Sequence, residues 1–273
     1  MIIYPKTSDT LEGMNNLKPY IEKYKGVEIQ MMEWDSLEKV NSVIKNVKNE
    51  VPEIQEITIH PPLREKYNFE ALSYRELETE IERIKCIREL SKEYDIKLNL
   101  LYHTRWNYES WKSSGGIDAM KELLNLIKET NVTILIENIY SIVDKKDSAV
   151  LRIAKNIDSE KLKVCLDICH LHCQANIFDL DFDEFLNNYL DKDDCKRYIY
   201  QIHYAGTLNN DGYRIKATHG RKHDTIENFQ KDFEILKEYG IEDKIIVTEV
   251  SENDYCNRKD QIEEVKMLEK TVV

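Results

Sequence analysis

Eight short apolar segments are spaced along the chain with a helical segment after nearly every one. They are "IIY" (2–4), "GVEIQMM" (26–32), "EITIH" (56–60), "KLNLLYH" (97–103), "VTILIEN" (132–138), "KVCLDI" (163–168), "YIYQIHY" (198–204) and "KIIVTEV" (244–250). Most are Ile, Val and Leu with little polar interruption, the pattern of parallel strands covered on both faces. The stretches between them, such as "SLEKVNSVIKNVKN" and "IDAMKELLNLIKET", place apolar residues three or four apart, as helices with one buried stripe do. The link at 147–161 is the shortest of these, and "KDQIEEVKMLEK" supplies a last helix. Asp35 or Ser36, and Ser73, read as N-caps, and Gly240 as a C-terminal stop. No low-complexity linker divides the chain. The pattern predicts an α/β fold, a (β/α)8 barrel of TIM type, as a single domain over residues 1–273.

In such a barrel, chemistry gathers at the C-terminal mouths of the strands. His60, His103, Glu137, Asp167, His203 and Glu249 end strands three to eight in turn, with His170 just beyond Asp167. His172, His219 and His223 fall in the following loops, so every histidine is expected at a strand end or in a loop, and none on a helix. Strand residues alternate faces. Thr133, Leu135 and Glu137 therefore share one face, and Ile245, Val247 and Glu249 another, which lets both glutamates point at the barrel axis.

Buried carboxylates need a counter-charge. No Lys or Arg occupies a predicted strand end; Arg105, Arg214, Lys216, Arg221 and Lys222 are in loops. A metal ion is the simpler partner. Glu137, Asp167, His203 and Glu249 form an oxygen-rich set with one nitrogen, suited to Mn²⁺, Mg²⁺, Co²⁺ or Zn²⁺. His60 and His103 would hold a second ion with Glu137 as bridge, a nitrogen-richer set that favours Zn²⁺ or Fe²⁺.

The segments "TIHPPL", "LLYHTRW", "ILIENIY", "VCLDICHLH", "QIHYAG" and "VTEVSE" together resemble the xylose isomerase-like TIM barrel superfamily. That group includes sugar isomerases and epimerases and the apurinic endonuclease IV family, and the resemblance runs through essentially the whole chain. It implies that Glu137, Asp167, His203 and Glu249 are metal ligands. In the epimerase branch the two glutamates also act as base and acid. His170 matches a substrate-contacting residue of epimerases and a third-metal ligand of endonuclease IV, while His60 and His103 match the histidines of that family's first zinc site. The chain departs from endonuclease IV in the loop "RIKATHGRKHDTI". There His219 stands for the family histidine, but Lys216 or Ala217 falls where an aspartate belongs, with His223 as a substitute donor. The histidine- and glycine-rich first loop of that family is also missing. These losses count against simple apurinic endonuclease activity.

The expected cofactor is thus divalent metal, zinc or manganese, with one to three ions. The expected partner is a small sugar or sugar phosphate, with DNA under the alternative of an endonuclease IV-like phosphodiesterase. A net charge of −12 excludes a general nucleic-acid coat protein, although a local basic groove is compatible with it. Arg214 and its basic neighbours in 205–225, with His223, form an anion-site candidate, and a solvated loop explains the same charges. Trp34 and Trp106, with His172, are candidates for substrate contact; Trp111 serves either contact or packing. Cys169 and Cys173 lie close enough to the mouth to be weighed as ligands, though buried cysteine is commonly a small hydrophobe. The start "MIIYPKTSDT" lacks a secretory signal, and no apolar run approaches transmembrane length, so a cytoplasmic enzyme without membrane contact is expected.

Overall fold

The computed structural model describes residues 2–32, 37–62, 74–104, 108–138, 148–205, 226–250 and 258–271. Eight parallel strands close into a barrel in sequence order. They are β1 (Ile2–Ser8), β2 (Gly26–Gln30), β3 (Glu56–His60), β4 (Lys97–Thr104), β5 (Val132–Asn138), β6 (Leu162–Asp167), β7 (Ile199–Tyr204) and β8 (Ile245–Thr248). Around them run α1 (Leu11–Tyr24), α2 (Leu37–Glu50), α3 (Tyr74–Tyr94), α4 (Tyr108–Ser113), α5 (Gly116–Ile127), α6 (Ala149–Ile157), α7 (Ile168–Phe178), α8 (Phe182–Tyr189), α9 (Lys192–Tyr198), α10 (Ile226–Glu238) and α11 (Lys259–Thr271).

Strand alternation sorts the side chains into two cores. Ile3, Ile29, Ile57, Leu100, Ile134, Leu166 and Ile246 face outward into one large cluster with the helices. The opposite parity lines the axis, where Tyr4, Ile245 and Val247 form one small cluster and Leu101, Leu135 and Cys165 another. The rest of the interior is polar. Near the N-terminal end, Glu56 accepts from Asn99 Nδ2 at 2.6 Å and from the Tyr200 hydroxyl at 2.8 Å. This satisfies a carboxylate that burial would otherwise penalise.

Register then places the mouth residues side by side. His103 pairs with Glu137 across β4 and β5, Asp167 with His203 across β6 and β7, and Gln30 with His60 across β2 and β3. A bulge between β6 and β7 pairs Val164 with Ile199 but Cys165 with Gln201, so Tyr200 is the extra residue. The Gly26 position admits no side chain, because a Cβ there would overlap the Tyr4 ring. Gly240 ends α10 in the left-handed region at φ 63°, as the sequence predicts, with the Ile241 N–H reaching the Leu236 carbonyl at 2.9 Å.

Three expectations change, the first being that Glu249 follows β8, which stops at Thr248, rather than ending it. β1 runs to Ser8 rather than stopping at Tyr4, which carries Lys6 into the barrel wall. Three helices, α7 to α9, connect β6 to β7, and α7 starts directly after Asp167. His170 and His172 therefore lie on a helix, contrary to the expectation that no histidine does. Asp35, Ser36 and Ser73 fall outside the described residues. No described helix is long and apolar enough to cross a membrane.

Candidate metal centre

The strand-end residues converge. One donor atom from each of Glu137, Asp167, His203 and Glu249 lies within 4.8 Å of the others, and the same holds for His60, His103 and Glu137, and for Glu28, His60 and His203. His203 Nδ1 is 2.6 Å from Glu249 Oε2 and 3.2 Å from Glu137 Oε1. His103 Nε2 is 3.2 Å from Glu137 Oε2, and His60 Nε2 is 3.6 Å from the same atom. Glu137 thus bridges the two predicted groups. Glu137 and Asp167 are each 1% exposed and His60 and His203 0%, so water does little to screen their charges.

Asp167 shows how a buried carboxylate is tolerated at this place. Its backbone N–H donates to Asn138 Oδ1 at 2.8 Å, and its carbonyl accepts from Asn138 Nδ2 at 3.0 Å. Its side chain caps α7, with Oδ1 accepting from the His170 N–H at 2.6 Å. His170 Nδ1 donates to the Asn138 carbonyl at 2.7 Å, which leaves Nε2 as its acceptor atom.

The ring protons test whether a cation fits. His60 Nδ1 lies 2.9 Å from the Pro61 carbonyl, which only accepts, so Nδ1 carries the proton. Nε2 then bears a lone pair, is buried, and has no hydrogen-bond partner among the described residues. It faces Glu137 Oε2 and, at 3.9 Å, Glu249 Oε1, both negative. Burial and the nearby Lys6 charge hold the His60 pKa below its ordinary value, so the ring does not relieve the conflict by taking a proton. A cation, or a donor on a ligand, does. His203 has carboxylates at both ring nitrogens, with Glu28 Oε2 2.8 Å from Nε2. Burial opposes its charge, but Cys165, Glu249, Glu28 and Glu137 outweigh burial and raise its pKa well above the ordinary value. Conversely, burial works against the Glu137 charge, but His203 and His103 outweigh it and hold the carboxyl well below its ordinary range. The donor set fits a divalent ion.

Two charged residues of the centre are absent from the sequence-based expectations. Lys6, 4% exposed, forms an ion pair with Glu28 Oε1 at 2.8 Å and a hydrogen bond with Glu249 Oε1. Burial works against its charge, but Glu249, Glu28 and Glu137 outweigh that and raise its pKa. Glu28 is completely buried; its carboxyl is brought down to about 2 because His203 and Lys6 overcome the burial penalty. The sequence places no Lys or Arg at a predicted strand end, but Lys6 supplies a counter-charge to Glu28 and Glu249 from within β1. The available signal is its shared parity with Tyr4, two residues earlier in a strand that reads as ending there.

Other predicted positions divide. His170 borders the centre, with Nδ1 3.6 Å from Asp167 Oδ2 and 3.8 Å from Glu137 Oε1, but it is in none of the candidate ligand groups among the described residues. His172 is half-buried and stacks on Phe182 with ring centroids 3.6 Å apart. Trp111 is fully buried in α4, where it packs beside Gly116. Cys169 and Cys173 are buried in α7 and join none of the candidate clusters among the described residues. Trp34, Trp106, Arg214, His219 and His223 lie outside the described residues.

No curated protein sequence matches the chain. Solved structures do. An IolI protein with a bound zinc atom is 17% identical with a TM-score of 0.63, over 99% of this chain and 96% of that one. A protein from Thermus thermophilus soaked with zinc chloride is 14% identical with a TM-score of 0.64, over 99% and 98%. A sugar phosphate isomerase/epimerase from Parabacteroides distasonis is 13% identical with a TM-score of 0.54, over 100% and 97%. At these identities the likeness is one of fold. The family model described as xylose isomerase-like TIM barrel matches residues 22–271, a span that takes in β2 through β8 and every strand-end residue of the centre. The chain belongs to the xylose isomerase-like TIM barrel family.

Proposed function

We propose that the protein is a divalent-metal-dependent isomerase or epimerase acting on a small sugar or sugar phosphate. The observation that carries this is the placing of two carboxylates, Glu137 from β5 and Glu249 after β8, against one ring atom, His203 Nδ1. Glu137, Asp167, His203 and Glu249 would hold the ion. When bound, a divalent ion polarises the carbonyl and hydroxyl oxygens of such a substrate. Glu137 and Glu249 approach from strands three apart around the barrel, so they suit opposite faces of one carbon. One carboxylate takes the proton from the carbon beside the carbonyl, and the other, as its conjugate acid, returns one. His170 Nε2 accepts from a substrate hydroxyl. The zinc-bound relative and the sugar phosphate isomerase/epimerase relative support this reading.

A second reading, an endonuclease IV-like phosphodiesterase acting on DNA, is favoured by the His60, His103 and Glu137 group, whose bare His60 Nε2 suits a further ion. Under the first reading that atom accepts from a substrate hydroxyl instead. Metal content per chain, followed by two assays on one preparation, separates them. About one equivalent with turnover of a panel of ketoses supports the isomerase. Two or three zinc ions with cleavage of an abasic oligonucleotide supports the phosphodiesterase. A chain that holds no metal overturns both.

A further inference from the structure

The hydrogen bonds below His203 hold a proton on its Nε2 atom. Asn99 Nδ2 donates to Thr58 Oγ1 at 3.1 Å, and Thr58 Oγ1 in turn donates to Gln201 Oε1 at 3.0 Å. The Gln201 amide is thereby oriented with its NH₂ toward Glu28 and His203. That NH₂ donates to Glu28 Oε2 at 2.6 Å and lies 3.2 Å from His203 Nε2. Glu28 Oε2 is 2.8 Å from His203 Nε2. A bare nitrogen lone pair at that distance from a carboxylate oxygen would be repelled, so Nε2 carries a proton and donates it to Glu28. Lys6 holds the other Glu28 oxygen at 2.8 Å, which stops the carboxylate from turning away. His203 Nδ1 faces Glu249 Oε2 at 2.6 Å and Glu137 Oε1 at 3.2 Å, oxygens that would converge with it on a bound cation, so Nδ1 is the nitrogen that would exchange a proton for the ion.

We infer that Glu28 is a positioning residue of the centre: it locks His203 in the Nε2–H tautomer and so offers Nδ1 to a divalent cation. Metal-ligating histidines commonly donate their second N–H to a carboxylate, which orients the ring and raises its basicity. Here the carboxylate comes from β2, is oriented by Thr58 and Gln201 from β3 and β7, and is neutralised by Lys6 from β1. The inference rests on the metal reading of the centre and is independent of which reaction follows.

The test is a Co²⁺ titration of the metal-free chain against a fluorescent chelator, for wild type, Glu28→Gln, Glu28→Leu, Lys6→Met and the double variant Lys6→Met/Glu28→Leu. The double variant removes both members of the buried pair, so folding is not burdened by a stranded Lys6 charge. Glu28→Leu is expected to bind Co²⁺ about 10–100-fold more weakly than wild type, the double variant similarly more weakly than Lys6→Met alone, and Glu28→Gln, whose amide oxygen still accepts from Nε2–H, to stay closest to wild type. In the zinc-loaded protein, ¹⁵N NMR should show an exchange-protected Nε2–H for His203 in wild type and Glu28→Gln, and not in the leucine variants. Cobalt affinity in Glu28→Leu within about twofold of wild type, or in the double variant within about twofold of Lys6→Met alone, overturns the inference alone. A wild-type chain that takes up no cobalt overturns the metal reading and this inference with it.

Discussion

Glu137 Oε2 is 3.2 Å from His103 Nε2, and Glu137 Oε1 is 3.2 Å from His203 Nδ1, so one substitution reaches both candidate ion groups. Glu137→Gln removes the bridging charge while keeping the shape. Its metal affinity should fall by more than the roughly 10–100-fold typical of outer partners, as read by elemental analysis after dialysis. Lys6 is the opposite case, a cation among acids. Lys6→Met leaves Glu28 and Glu249 buried with one positive charge fewer, and breaking such a pair costs about 3–5 kcal/mol. The metal-free variant should therefore unfold at lower urea than wild type. Added Zn²⁺ should recover more stability in the variant than in wild type, because the ion replaces a charge that the variant lacks. Equal urea midpoints for the two metal-free proteins would show that Lys6 carries no such burden.

At the scale of elements, the ends of α6 and α7 are set by capping side chains. Ser148 Oγ accepts from the Leu151 N–H at 3.3 Å, and Ser148→Ala should cost about 1 kcal/mol in urea unfolding without altering metal binding. Asp167 caps α7 and faces the centre as well, so Asp167→Asn should keep the cap and lose metal, which separates its two roles. The strands from β2 to β8 are legible in the sequence because each is an apolar run bounded by polar segments. The second half of β1 is not, since Pro5, Lys6, Thr7 and Ser8 have no apolar pattern, and only pairing with β2 and β8 reveals them as strand. Glu28 sits mid-strand in "GVEIQ", where an alternating charge looks like a surface residue until barrel closure turns it inward. The start of α7 reads as a loop because "ICHLHCQANIF" is buried on most of its surface and shows no clean polar stripe. The strand-end quartet is legible because its spacing follows the strands themselves.

For the whole molecule, the acids of the mouth tie stability to pH. The Glu28 carboxyl has a folded value of about 2 against an ordinary 4.5, a depression. Its contribution is complete above the ordinary value and is lost as pH falls toward 2. Glu137 shifts in the same direction. The urea midpoint of the metal-free protein should thus drop between about pH 5 and 2, and the Glu28→Gln variant should show a shallower drop across the same range. A bound ion adds stability in proportion to the logarithm of its concentration over its dissociation constant, so the metal-loaded protein should melt at higher temperature as free Zn²⁺ rises. The most direct test of the centre is the anomalous scattering of crystals grown with Zn²⁺, measured at the zinc absorption edge. The account predicts a peak bounded by Glu137, Asp167, His203 and Glu249, with the Nδ1 atom of His203 toward it. Full occupancy elsewhere, or no peak among those four side chains, would contradict it.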